Sequence, residues 1–132
     1  MNIAILAHEK KKELMVQFCI AYAGILAKHN IWSASALGNL VAENTGLEIN
    51  KVLSGISGAE EQISSRISCG EIDVLLFFRD PLTPTTRGRE ETGILRLCDV
   101  HNIPVATNIA TAEVIIMALD RGDLDWLDIV KR

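Results

Sequence analysis

Apolar residues in this chain gather in short continuous runs, separated by stretches in which they recur every three or four positions. Ile3-Ala4-Ile5-Leu6-Ala7 is the first run, and its lack of alternation predicts a strand covered on both faces. From Glu9 to about Lys28, Leu14, Met15, Phe18, Ala21, Tyr22, Ile25 and Leu26 keep helical spacing. Ile31 to Ala34 reads as a short, weakly marked second strand, and Gly38-Asn39 as the opening of a helix that Gly46 stops. Lys51-Val52-Leu53 reads as a third strand, followed by a helix through Glu61, Ile63 and Ile67 that ends near Gly70. Val74 to Phe78 is the clearest strand. A helix from Glu91 to His101, a fifth strand over Pro104 to Thr107 and a helix from Ala110 to Leu119 complete the alternation. Such alternation implies right-handed crossovers and an α/β, three-layer, Rossmann-like fold with a five-stranded, mainly parallel sheet. The tail carries Trp126, Leu127, Ile129 and Val130 and reads as a closing helix or an intersubunit arm that needs apolar cover.

With 132 residues the chain reads as a single domain, 1–132, able to bury roughly two-thirds of the surface of its unfolded form. An apolar fraction of 48% with 23% charged residues is that of an ordinary globular protein. The net charge of −4 leaves no basic footprint for nucleic acid, although a small anion needs only a few cations and helix N-termini. No run approaches the ~20 apolar residues that cross a bilayer, and nothing before Ile3 resembles a charged leader, so neither a membrane nor a signal peptide is expected. Cys19, Cys69 and Cys98 are odd in number and widely spaced among apolar neighbours. They read as reduced structural thiols in a cytoplasmic protein.

In a parallel sheet, chemistry collects where strands end and helices begin. After the first strand come His8 and Lys10 to Lys12, which suit contacts to a substrate oxygen and a phosphate, or else a capped helix with a solvated face. After the second, Ser33-Ala34-Ser35-Ala36-Leu37 offers small residues and two hydroxyls, enough for a weak anion site or an ordinary turn. After the third, Ser54-Gly55-Ile56-Ser57-Gly58 precedes Glu60 and Glu61. Carboxylates there either stabilise a helix N-terminus or provide a general base beside an anion pocket. After the fourth, Asp80-Pro81-Leu82 opens a polar loop with Arg87, Arg89, Glu90 and Glu91. Thr107-Asn108 suits bracing, and His29 and His101 suit capping of helix C-termini. Metal-ligand spacing, a Walker sequence and a nucleophile elbow are all missing from the chain.

Several of these segments, in order, resemble methylglyoxal synthase over nearly the whole chain. They are Ile3-Ala4-Ile5-Leu6-Ala7-His8, Leu53-Ser54-Gly55, Phe77-Phe78-Arg79-Asp80-Pro81-Leu82, Leu95 to Asp99, Asn102 to Asn108, Ala110 to Glu113 and Arg121 to Leu124. The resemblance implies a methylglyoxal-synthase-like fold, a cytoplasmic homohexamer and elimination of phosphate from dihydroxyacetone phosphate through an enediolate. It implies no metal and no organic cofactor. A carboxylate would remove the carbon-bound proton, hydrogen-bond donors would hold the enediolate oxygen, and a lysine with hydroxyls and amides would hold the phosphate.

Residue by residue, His8, Lys12, Ser54 and Gly55 match the family, as do Gly38, Asp80 and Asn108 at structural positions. Glu60 stands where the family has its catalytic aspartate, Glu90 at a second aspartate and Arg87 at a histidine. Ala34-Ser35-Ala36-Leu37 stands in place of Thr-Gly-Thr-Thr, and Leu127 falls near a C-terminal arginine. The resemblance thus implies Glu60 as base, His8 and Arg87 as donors to the oxygens, and Glu90 in support. Lys12, Ser54, Gly55 and Ser35 would surround a small phosphorylated substrate or inorganic phosphate. The alternative is a catalytically impaired member that binds a small anion or metabolite as an effector domain, or serves as a structural subunit.

Overall fold

The computed structural model describes residues 1–52, 58–82 and 88–129, the side chains of 58 and 88–92 excepted. Strands β1 (Asn2–Ala7), β2 (Asn30–Ala34), β3 (Ile49–Val52), β4 (Val74–Phe78) and β5 (Val105–Ala106) form one sheet in the order β3-β2-β1-β4-β5. Every pairing is parallel. Alternate residues of a strand face opposite sides, so an inner strand between two helical layers must be apolar throughout. On β4, Val74, Leu76 and Phe78 enter one core while Leu75 and Phe77 enter the other. The first core is closed by α1 (Lys12–Ala21), α2 (Ala23–Leu26), α3 (Ser35–Thr45) and α6 (Ile109–Asp120), and the second by α4 (Gly58–Ser68) and α5 (Gly88–Val100).

Boundaries differ from the sequence expectation where local chemistry intervenes. The long first helix is divided: Glu9–Lys11 is a 3-10 turn, and α1 stops at Tyr22, whose backbone leaves helical geometry (φ −111, ψ 21). The Tyr22 ring leans on Phe18 at 4.9 Å, and Gly24 weakens helix propensity in the next turn. β3 begins two residues earlier than expected, at Ile49, which packs against one core while Val52 enters the other. Leu53 lies outside the described residues. α5 begins at Gly88, ahead of Glu91.

α3 starts at Ser35, not at Gly38, so the glycine is interior to the helix. A helix-interior glycine costs about 1 kcal/mol relative to alanine, and packing supplies the reason for it here. A Cβ on Gly38 would stand 3.1 Å from Ile49 Cγ2 and 3.2 Å from Lys51 Cγ. Gly38→Val should therefore push α3 off β3 and destabilise the protein by about 1–3 kcal/mol. Thermal unfolding checks this, and an unchanged Tm would contradict it. Gly46 does stop the helix, at φ 75, with its N–H donating to Ala42 O at 2.9 Å.

Cys19 and Cys98 are buried, and burial pushes both thiols up to about 12, with Asp99 adding to the effect at Cys98. Cys69 follows the last turn of α4 and is exposed. The tail forms a short helix, α7 (Trp126–Ile129), held by buried Leu127 while Trp126 and Ile129 remain exposed. No helix among the described residues is long and apolar enough to cross a membrane.

Candidate active site

The connections of this sheet leave β1 in one direction through β2 and β3, and β4 in the other through β5. A crevice forms at the carboxyl ends of two strands that part in this way, and ligands of α/β proteins bind there. Ala7 ends β1 and delivers His8, and Phe78 ends β4 and delivers Arg79 and Asp80. His8 N–H donates to Phe78 O at 3.0 Å, which carries the β1–β4 pairing one residue past the strand. Asp80 N–H donates to His8 Nδ1 at 2.7 Å. A nitrogen that accepts carries no hydrogen, so this bond assigns the ring proton of neutral His8 to Nε2. The ring also stands edge-on to Phe77, with centroids 5.5 Å apart and planes at 88°. Asp80 is buried, and its Oδ1 accepts from Leu82 N–H at 3.1 Å, a local turn that keeps the Asp80 amide directed at the imidazole.

Glu60 lies in the first turn of α4, where the helix dipole favours a negative charge. Of the two adjacent carboxylates, Glu60 is 9% exposed whereas Glu61 faces solvent, so only the former can face a water-excluded crevice. Phe77, which the His8 ring touches, belongs to the core beneath α4 and α5. His8 and Glu60 therefore reach the carboxyl edge of the sheet from the same side.

Lys12 opens α1, and its Nζ meets Glu9 Oε2 at 2.8 Å. The side chain of Glu9 is 86% exposed against 27% for Lys12. Exposed pairs contribute little, and an incoming anion can displace Glu9. Ser35 Oγ donates to Val52 O at 2.9 Å and ties the start of α3 to the end of β3. Its hydroxyl proton thereby serves the scaffold. Among the described residues no side chain caps the N-terminus of α3, where Ala34 occupies the N-cap position, so an anion would meet the amides of the first turn.

Ser54, Gly55 and Arg87 lie outside the described residues. The Glu90 backbone falls in the first turn of α5, and its side chain lies outside the description. Hydrogen bonds tie the next strand end to its neighbours. Thr107 O accepts from Arg79 N–H at 3.3 Å, and Asn108 Oδ1 caps α6 by accepting from Thr111 N–H at 3.0 Å. His29 is not a simple carbonyl cap: its Nδ1 lies 3.0 Å from the amine of Met1. Burial first, and that positive charge second, hold its ring below the usual imidazole value. Among the described residues no three His, Cys, Asp or Glu side chains are grouped to hold a metal ion. The importance of the Asp80 amide escaped the sequence reading, since strand adjacency alone brings it to His8. An aspartate two residues past a strand end and just before proline was the available signal.

Known proteins give a consistent comparison. No family model matches the chain. A methylglyoxal synthase of Caldicellulosiruptor saccharolyticus is 56% identical over 130 residues, covering 98% of this chain and 92% of its own. One from Oceanobacillus iheyensis is 47% identical over 131 residues, covering 99% and 94%. The crystal structure of methylglyoxal synthase from Elizabethkingia anophelis NUHP1 superposes with a TM-score of 0.77 at 35% identity, over 87% of this chain and 76% of that one.

Proposed function

The chain belongs to the methylglyoxal synthase family, and from that premise we propose that it converts dihydroxyacetone phosphate to methylglyoxal and inorganic phosphate. The Glu60 carboxylate takes a proton from the hydroxymethyl carbon beside the carbonyl. The electron pair moves onto the carbonyl oxygen, which the Nε2–H of His8 meets as charge develops. The hydroxyl proton on the deprotonated carbon then passes to the departing phosphate as its oxygen becomes the aldehyde carbonyl. The double bond shifts toward the phosphate-bearing carbon and the carbon–oxygen bond to phosphate breaks. Glu60 returns its proton to the enolate left behind, and the resulting enol tautomerises to methylglyoxal. Lys12 balances the charge of the leaving phosphate, which the α3 amides, Ser35, Ser54 and Gly55 surround. Arg87 serves as a second donor to the oxyanion, permanently charged and so unable to shuttle a proton. Glu90 orients this group. The reading includes a cytoplasmic homohexamer, as family membership suggests.

The observation that carries the mechanism is the Asp80 N–H bond to His8 Nδ1 at 2.7 Å. It leaves a neutral imidazole with its donor on the far nitrogen, the form that stabilises an enediolate without first protonating it. Purified protein incubated with dihydroxyacetone phosphate should release methylglyoxal and phosphate in equal amounts. Absence of both from folded protein overturns the proposal.

A further inference from the structure

Trp32 occupies the middle of β2 on the side covered by α4 and α5, between Ala4 of β1 and Asn50 of β3 in register. Neither neighbour offers an apolar surface broad enough for an indole. The surface comes from α4, whose Arg66 holds its guanidinium carbon 4.0 Å from the ring centroid. Arg66 Nη1 also donates to Glu71 Oε2 at 3.2 Å, in the segment that leads from α4 to β4. One planar side chain thus joins β2, α4 and that segment. Trp32 Nε1 is buried and makes no hydrogen bond among the described residues. An aliphatic residue would fill the site without burying an N–H, so what the indole contributes is its π face.

The contribution bears on the angle of α4. Among the described residues only α4 and α5 close this side of the sheet, and α4 packs against α5 and β3. Ile63 and Ile67, one turn apart and fully buried, form the ridge on which the helix rests. A single ridge fixes the distance of a helix from a sheet better than its roll. Arg66 fixes the roll, because it grips β2 beside that ridge. Glu60 lies six residues away on the same rigid helix, about 9 Å along its axis, so a small roll displaces its carboxylate.

We propose that the Trp32–Arg66 stack is a positioning element for Glu60, setting the roll of α4 at which the carboxylate meets the substrate. This rests on Glu60 as the base of the proposed reaction. Trp32→Leu and Arg66→Gln should each lower kcat by roughly 10- to 100-fold, since a misplacement near 1 Å has that scale of effect. KM should stay within about twofold, because the phosphate contacts lie on other elements. Trp32→Phe, which keeps a ring under Arg66, should restore most of kcat. Carboxyl NMR titration of 13C-glutamate-labelled protein, with the Glu60 signal assigned by its loss in Glu60→Gln, supplies a readout independent of turnover. That signal should shift in Trp32→Leu and Arg66→Gln and remain in place in Trp32→Phe. An unmoved signal in folded variants overturns the positioning role, as does unchanged kcat. Wild-type protein that gives no methylglyoxal defeats the proposed reaction instead, and the NMR comparison still decides the positioning.

Discussion

Glu60→Gln is expected to lower kcat for dihydroxyacetone phosphate by roughly 100- to 10,000-fold, the usual share of a general base. The exchange keeps the shape of the side chain and removes its basicity. The buried carboxylate stands in the first turn of α4, so the amide also loses a favourable interaction with the helix dipole, worth about 0.3–1 kcal/mol. The folded state should survive that loss, and circular dichroism with a Tm measurement confirms it in the same preparation. Glu61→Gln is the natural control, because Glu61 faces solvent on the same turn, and its turnover should match wild type. Retained activity in folded Glu60→Gln would remove Glu60 from the reaction and transfer the base to another carboxylate of the edge.

His8→Ala should lower kcat by about 100- to 1,000-fold, the effect of deleting one donor from an oxyanion site. KM should change much less, since the donor acts on charge that appears only in the transition state. The substitution also removes the acceptor of the Asp80 amide and the edge contact with Phe77. A loss of stability of about 1–3 kcal/mol from the unsatisfied amide is therefore expected alongside. Kinetics below the unfolding transition separate the two effects. A His8→Ala protein with wild-type kcat would show that the ring serves only to join β1 to β4.

How far these features could be read from the residues alone depends on how local their causes are. Val74 to Phe78 was clear because a strand with a core on each face must be apolar at every position. The start of α3 was misplaced because glycine usually ends or interrupts a helix, and only the approach of Ile49 and Lys51 shows why one is needed inside it. β3 shifted because edge residues such as Asn50 and Lys51 are exposed and weaken the apolar signal. Family resemblance pointed to Glu60, while the residue pattern alone left the Glu60–Glu61 pair open between helix capping and a general base. Burial separates them.

Periodicity, turn residues and the order of motifs specified the alternating α/β framework, the strand ends that bear chemistry and the family. Each of these is a property of contiguous segments, decided by local conformational preference and by which face must leave water. Tertiary structure decided the protonated nitrogen of His8, the inward carboxylate of the pair, the scaffold role of the Ser35 hydroxyl and the stack on Trp32. Those depend on single atoms from distant segments: Asp80 N–H and His8 Nδ1 are 72 residues apart in the chain. Hydrogen bonds and ring contacts act over a few ångströms with strict direction. Their partners exist only once the sheet has brought the strand ends side by side.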